Sequence, residues 1–183
     1  MAREGQRDKP DRSQRQARRL RRRLRTGAAI AGVAVVAIVV AWFAYRAVAD
    51  LPGEKFADQG NLHIARETDP HEPYNSDPPT SGPHLPYVAP WGVHTRPIPR
   101  ELQVHNLEDG GVVVQYSCEC PELVERLAKI VRRYPKQVVL APYPGMKARI
   151  ALTAWTRRVT LDDFDEAQTV RFIEAYRGVD HHK

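Results

Sequence analysis

Two histidines of this chain lie in segments that would hold an imidazole in a fixed direction. His84 ends the stretch PPTSGPH, residues 78–84, in which three prolines and a glycine constrain the backbone. His105 lies in VHNLEDGG, beside the acidic pair Glu108 and Asp109. Imidazole and carboxylate together suit zinc, copper or iron. We therefore expect a transition-metal site at His84 and His105, with Asp109 as an auxiliary ligand and copper, ahead of zinc, as the ion.

Three sulfur side chains could extend this site towards a softer metal. Met146, in PYPGMKARI, is the only methionine besides the initiator. Cys118 and Cys120 lie in SCECPEL, between a predicted strand and a predicted helix. In an oxidising compartment the two cysteines would form a disulfide, whereas as thiolates they would bind Cu(I). A third interpretation is a redox-active or inert pair, because a helix N-terminus lowers thiol pKa values.

Two other functions fit the same residues. Each histidine can instead bind a backbone carbonyl and serve only folding, in a non-enzymatic domain whose proline-rich and aromatic loop contacts a protein partner. The second alternative is a metal-dependent hydrolase with Glu108 as the base, and a serine hydrolase built on Ser81, His105 and Asp109 is a further variant. The sequence contains no P-loop and no Gly-rich dinucleotide turn, so no nucleotide cofactor is expected.

The remaining histidines are predicted to lie outside any site. We place His63 and His71 on the surface of the segment that approaches the domain, and His181 and His182 in a frayed C-terminal tail. His94 belongs to the same proline-rich loop as His84, ten residues further along the chain.

The N-terminal region predicts a membrane anchor. Residues 26–45, TGAAIAGVAVVAIVVAWFAY, carry no charge, and 20 residues of helix span the roughly 30 Å hydrocarbon core of a bilayer. Residues 1–25 contain eleven Lys or Arg and three acidic side chains, which favours a cytoplasmic N-terminus and contact with anionic lipid. The rest of the chain would then lie outside the cytoplasm. A signal peptide cleaved after Ala49 is the rival interpretation, and it exports the same residues.

The charge distribution argues against nucleic acid as the partner. The net charge of +6 arises entirely in residues 1–25, which lack aromatic side chains between the basic ones. We therefore divide the chain into a basic tail (1–25), a transmembrane helix (26–46), a linker (47–60), an extracytoplasmic domain (61–178) and a C-terminal tail (179–183).

The pattern of the exported part predicts an α+β domain. Residues 102–107 and 111–117 are predicted strands joined by an Asp-Gly hairpin turn. A helix opening at Pro121, strands at 137–141 and 148–156, and a last helix starting at Asp162 or Asp163 and followed by Gly178 complete the order β-β-α-β-β-α. This order predicts a small, mostly antiparallel sheet with two helices on one face, preceded by a long ordered loop rich in proline.

The proline-rich block and the segments after it resemble the domain of unknown function 3105 family. The stretches that carry the resemblance are YNSDPPTSGPH (74–84), APWGV (89–93), VHNLE (104–108) with Gly110, LAPYPG (140–145) and ALTAW (151–155). The resemblance covers about residues 60 to 178. It implies a bacterial protein with one N-terminal membrane segment, and it implies no known reaction. Family members commonly have a second His where this chain has Asp109.

Overall fold

A long N-terminal helix, α1 (Arg12–Ala49), forms the first of two compact units. The computed structural model describes residues 12–49 and 51–182. Within α1, the 28 residues Arg19–Arg46 are long and apolar enough to cross a membrane, and their side chains are exposed. The first eleven residues of the predicted basic tail, and Asp50, before which a signal peptidase would cut, lie outside the described residues.

The second unit begins at Pro52 and is built on one mixed β-sheet. In residues 51–182 the strands are β1 (Glu54–Lys55), β2 (Gly92–Val93), β3 (Val112–Tyr116), β4 (Val138–Pro142), β5 (Ile150–Ala154) and β6 (Arg157–Leu161), in the sheet order β1-β6-β5-β3-β4-β2. The neighbouring strands β3 and β4 run parallel, and Val113 of β3 pairs with Val139 of β4. β2 also runs parallel to β4, whereas β5 is antiparallel to both β3 and β6, and β1 is antiparallel to β6.

Three helices of this unit cover both faces of the sheet: α2 (Arg100–Glu108), α3 (Pro121–Val131) and α4 (Glu166–Tyr176). Side chains alternate across a strand, so Val112 and Val114 face one way and Val113 the other. The first face packs against α3 and α4, and Phe172 of α4 is fully buried there. The opposite face packs against α2 and the proline-rich loop. Each face thereby buries its apolar side chains, which is the main source of stability.

The α+β class is confirmed, but the mostly antiparallel sheet and the order β-β-α-β-β-α are wrong. Residues 102–107 belong to α2 rather than to a strand. The alternation of Leu102 and Val104 suggested a period of two, yet every residue from Gln103 to Glu108 is buried, so periodicity carries little information there. The predicted hairpin turn is the end of this helix, where Gly110 takes a positive φ of 72°.

The predicted start of α3 is confirmed, whereas the predicted start of α4 is wrong by a few residues. Pro121 occupies the first turn of α3, as the sequence indicated. The last helix begins after Asp165, not at Asp162 or Asp163. The side chain of Asp165 accepts a hydrogen bond of 2.9 Å from the backbone N–H of Gln168, which caps α4. Gly178 follows the helix with φ of 86°.

The loop between β1 and β2 is ordered by hydrogen bonds to its surroundings. The carbonyl of Thr80 accepts from the backbone N–H of Thr156 at 2.8 Å, and the carbonyl of Pro83 accepts from the hydroxyl of Tyr74 at 2.6 Å. The hydroxyl of Ser81 accepts from the backbone N–H of Gln59 at 3.0 Å. Residues 78–85 are buried. The rigid stretch PPTSGPH is therefore an internal part of the domain, and it directs His84 inwards.

Candidate metal centre

Two segments of the long loop lie side by side and place His63 next to His84. The backbone N–H of His84 donates to the carbonyl of Leu62 at 2.9 Å, and the N–H of Ile64 donates to the carbonyl of His84 at 2.8 Å. These bonds form a parallel bridge between His63 and His84, whose ring centroids are 4.9 Å apart. His84 is fully buried, while the side chain of His63 is 46% exposed.

Helix α2 presents His105 and Glu108 to this pair. The two residues are three positions apart, so they lie on the same side of the helix. The loop is fixed to α2 by Asn106, whose side-chain amide donates to and accepts from the backbone of Ala89, both at 2.9 Å. A third bond joins the backbone N–H of Leu85 to the carbonyl of Glu101 at 3.1 Å. Helix and loop are therefore held in one arrangement around Glu108.

The Oε2 atom of Glu108 is the point at which the cluster converges. It lies 2.9 Å from Nε2 of His84, 3.6 Å from Nε2 of His63 and 3.7 Å from Nδ1 of His105. The four possible ligand atoms all lie within 4.8 Å of one another. Four ligands at the roughly 2.1 Å bond length of zinc would be about 3.4 Å apart in a regular tetrahedron. The distances around Glu108 scatter about this value, so small side-chain adjustments would complete such a site.

Two buried atoms of the cluster lack hydrogen-bond partners among the described residues. They are Nδ1 of His105 and Oε1 of Glu108, and leaving such atoms unpaired in the interior is costly. Nδ1 of His84 lies 2.7 Å from the carbonyl oxygen of Gly82, which can only accept, so this nitrogen carries a hydrogen. Nε2 of His84 therefore either donates to Oε2 of Glu108, with both ring nitrogens protonated, or offers its lone pair to a cation. A cation bound by Oε2 of Glu108 would also give Nδ1 of His105 a partner.

The electrostatics of His105 and Glu108 favour the protonation states in which these two residues bind metals. The pKa of His105 is lowered, mainly because the side chain is buried. Asp109 and Glu108 act to raise this pKa, whereas His84 and His63 lower it further. Burial alone would raise the pKa of Glu108. Hydrogen bonding from Asn61 and His84, together with the charge of neighbouring imidazoles, outweighs this effect and leaves the pKa below its usual value. A neutral imidazole and an ionised carboxylate are the forms that donate lone pairs to a metal.

The C-terminal segment adds a further imidazole. The backbone N–H of Gly178 donates to the carbonyl of Gly110 at 2.8 Å, and that of His181 donates to the carbonyl of Glu108 at 2.9 Å. These bonds bring Nε2 of His182 to 3.5 Å from Oε2 of Glu108 and 3.4 Å from Oδ1 of Asp109.

His105, Asp109 and His182 form a second group of possible ligands beside the first. A hydrogen bond to Asp180 is the main reason why the pKa of His182 is raised. The half-exposed His182 and His63 form the side of the cluster that is open to solvent.

The structure brings together some of the residues that the sequence suggested. His84 and His105 lie in the first group, and Asp109 lies in the adjoining one. Met146 is buried in a separate small cluster with Tyr143 and Ala151. Cys118 and Cys120 form a disulfide and pack against the core beneath α3 and α4. The candidate centre thus contains nitrogen and oxygen donors, without these sulfur atoms.

Sequence reasoning missed His63 and His182 and gave Glu108 only the role of a base. The spacing of His105 and Glu108 would have indicated a shared helix face, had residues 100–108 been interpreted as a helix. Pro99 before the acidic Glu101 was the available signal, because proline and acidic residues favour helix starts. His63 and His182 reach the site through backbone hydrogen bonds of irregular segments, for which the sequence offers no periodic signal.

Comparison with known proteins places the chain by family alone. No curated protein and no solved structure matches it. The model of the family described as "Protein of unknown function (DUF3105)" matches residues 66–183, which is more than half of the chain and includes His84, His105, Glu108 and His182. The chain therefore belongs to the DUF3105 family.

Proposed function

We propose that this protein is a membrane-anchored, extracytoplasmic metal-binding protein whose ligands are His63, His84, His105 and Glu108. The observation that supports it most directly is the convergence of three imidazole nitrogens on one buried carboxylate oxygen, at 2.9 to 3.7 Å. A buried carboxylate with an unpaired oxygen is costly without a cation. Asp109 and His182, on the solvent side, are the proposed auxiliary ligands.

Zinc fits these donors better than copper. Three imidazoles and a carboxylate are borderline and hard ligands, which suit Zn²⁺, whereas Cu(I) prefers thiolate and thioether sulfur. The sulfur atoms that motivated copper are placed elsewhere, since Met146 packs beside Tyr143 and the two cysteines are bonded to each other. We therefore propose zinc as the ion and retain copper as the competing identity.

Helix α1 supplies the proposed anchor. Its apolar stretch would cross the bilayer once, and the basic residues before that stretch would keep the N-terminus in the cytoplasm and contact anionic lipid. The domain that carries the candidate metal centre would then lie outside the cytoplasm. There it would meet metal ions before they reach the membrane.

In the interaction-domain alternative, the part of the proline-rich loop that could contact a protein partner is smaller than the sequence suggested. Residues 78–85 are buried and cannot contact a partner, whereas Tyr87 is 55% exposed. Pro86 and Pro90 are exposed beside it. A protein partner at the proline-rich loop stays a prediction for these three residues.

The test is the metal content of the full chain, isolated without a tag in detergent micelles and measured by elemental analysis as purified. Analysis before any metal is added matters, because Cu²⁺ displaces Zn²⁺ from most nitrogen and oxygen sites in vitro. We expect close to one zinc per chain. Glu108→Gln keeps the shape of the side chain and removes its charge, and His63→Ala alters a half-exposed ligand with little risk to folding.

Both variants should lose the metal while His94→Ala retains it. His94 is the matched control because its Nε2 contacts the carbonyl of Pro90 at 2.7 Å and it belongs to neither group of ligands. A wild-type protein that is isolated without metal and keeps none after zinc loading and desalting would contradict the proposal. One copper per chain as isolated would keep the site and overturn the choice of zinc.

A further inference from the structure

The disulfide Cys118–Cys120 lies at a place in the fold that is suited to chemistry. It follows the carboxyl end of β3 and precedes α3, which crosses from β3 to the parallel strand β4. In sheets with such parallel crossovers, ligands bind outside the carboxyl ends of the strands. The cysteines pack against the core that α3 and α4 share, whereas the histidine cluster is built on α2, on the other face. The disulfide is therefore separate from the candidate metal centre.

A purely structural role explains this disulfide poorly. A disulfide stabilises a fold mainly by restricting the unfolded chain, and the effect grows with the length of the loop that it closes. Only Glu119 lies between Cys118 and Cys120, so the bond restricts very little of the chain. Both cysteines are also only partly buried, and Cys120 lines a cavity from which a thiol could approach it.

The reduced form would be stabilised by α3. Cys120 is the N-cap residue of this 11-residue helix, and its side chain makes no capping hydrogen bond while the disulfide is formed. An N-cap side chain accepts hydrogen bonds from the free N–H groups of the first turn, and a thiolate there also benefits from the helix dipole. Cysteines at helix N-termini accordingly have lowered pKa values and react at neutral pH.

A cavity of about 420 Å³ gives access to Cys120. Its lining includes two arginines: Arg126, whose guanidinium lies 3.8 Å from the ring centroid of Phe164, and Arg149, which is 3.4 Å from Asp163. Leu123 and Phe164 supply apolar surface to the same cavity. Glu122 and Asp163 also line the cavity and Glu119 lies between the two cysteines, so among these charged groups only the two arginines favour a thiolate. The lining combines apolar surface with two basic and two acidic side chains, which fits an extended peptide segment that carries cysteine beside apolar and polar residues.

We infer that Cys118 and Cys120 form a redox-active pair that exchanges disulfide bonds with cysteine pairs of a protein substrate. A substrate thiolate attacks Sγ of Cys120 from the cavity, the Cys118–Cys120 bond breaks, and Cys118 leaves as a thiolate that takes up a proton. The second substrate thiolate then attacks the substrate sulfur of the mixed disulfide and releases Cys120 as the capped thiolate. The substrate loses two electrons to form its disulfide, and the cysteine pair gains them. Of the two protons that the substrate thiols give up, one is taken up by Cys118 and the other passes to solvent, because Cys120 stays a thiolate.

The test uses the full chain in detergent micelles and two single-cysteine variants. Cys118→Ser leaves Cys120 as the only thiol, and Cys120→Ser leaves Cys118 as the matched control. We expect iodoacetamide at about pH 6 to alkylate Cys120 at least about tenfold faster than Cys118, because each unit of lowered pKa raises the thiolate fraction tenfold. Glutathione disulfide should form a mixed disulfide on Cys120, seen as a gain in intact mass.

Wild-type protein supplies the second measurement. A reduced synthetic peptide with two cysteines, flanked by Leu and Ser, should lose two hydrogen atoms while the protein gains them. About one oxidised peptide per chain is expected from the two-electron exchange, with the circular dichroism spectrum of the protein unchanged. The double variant Cys118→Ser/Cys120→Ser should leave the peptide reduced. A disulfide that reacts only after the protein is unfolded in guanidinium, or a Cys120 that is alkylated no faster than Cys118, would overturn the inference. Metal content is expected to stay unchanged in all three variants, so this result stands apart from the test of the metal centre.

Discussion

Nε2 of His84 lies 2.9 Å from Oε2 of Glu108, although the two residues are 24 positions apart in the chain. Neither group reaches water, because the side chains of His84 and Glu108 are 0% and 1% exposed. The remaining nitrogen of His84 is engaged by the carbonyl of Gly82. Contacts at both ring nitrogens therefore fix the orientation of His84. His63 and His105 approach the same oxygen atom of Glu108.

Zinc is predicted to stabilise the wild-type protein and to leave Glu108→Gln unaffected. A ligand that binds only the folded state at 100 times its dissociation constant adds about 2.7 kcal/mol to the free energy of unfolding. Thermal unfolding of the full chain in micelles, with a chelator or with excess zinc, measures this difference. His94→Ala should behave as wild type. An equal rise in melting temperature for wild type and Glu108→Gln would show that zinc acts elsewhere.

Gly110→Ala is predicted to weaken metal binding by displacing the C-terminal segment. A Cβ atom there would meet the backbone of Val179 at 2.8 Å, and the positive φ of 72° adds strain. The segment carries His182, so the metal affinity of Gly110→Ala should fall towards that of His182→Ala. The loss should be about tenfold to a hundredfold, as for other supporting residues of metal sites.

Gly145→Ala is the matched control for this prediction. It has the same substitution and a φ of 83°, but open space around the added Cβ. Zinc titration with a competing chromophoric chelator compares the variants. If both glycine variants bind zinc equally well, the C-terminal segment takes no part in binding.

Asp165→Ala is predicted to lower the melting temperature by a few degrees, because α4 loses the side chain that caps Gln168. The loss should depend on pH. Hydrogen bonds to the backbone and side chain of Gln168 hold the pKa of Asp165 below its usual value of 3.8. The stability that this ionised carboxylate contributes is therefore present above pH 3.8 and disappears as the pH falls through the lower, folded-state pKa.

Melting curves of wild type and Asp165→Ala between about pH 3 and pH 7 test this dependence. Asp162→Ala is the control, since Asp162 precedes the helix without capping it. A difference between wild type and Asp165→Ala that persists unchanged at the acid end would contradict the assignment.

The anchor is predicted to hold the C-terminal unit outside the cytoplasm. An alkaline phosphatase reporter, which is active only after export, should be active when fused after residue 183 and inactive when residues 26–46 are deleted. Replacing the basic residues of 12–25 with glutamine should lower the exported fraction, because these charges set the orientation. An active reporter in the deletion variant, or equal export without the charges, would contradict the proposed topology.

The sequence predicted those parts of the fold in which local signals are strong. Three features have a strong local preference for the structure that they adopt. They are the apolar run of α1, the valine-rich strands β3 and β4, and Pro121 at the start of α3. The prediction failed at α2. That helix is buried between the sheet and the proline-rich loop, and its buried residues include polar ones such as Gln103 and Asn106. Its sequence therefore lacks the separate apolar and polar faces that mark a helix.

The sequence indicated only those residues of the candidate site that lie in or beside a distinctive local pattern. PPTSGPH indicated that His84 has a fixed position, and the acidic pair indicated that His105 has carboxylates nearby. The approach of His63 depends on the bond between the N–H of His84 and the carbonyl of Leu62, and that of His182 on the bond between His181 and Glu108. Such contacts between distant irregular segments have no signature in composition or periodicity.

The segment of residues 178–182 connects the candidate metal centre to a distant part of the second unit. His63 lies near the beginning of this unit and His182 near its end. An ion held by both side chains, as proposed, would therefore cross-link two distant parts of the chain and restrict the unfolded state, as a disulfide that closes a long loop does.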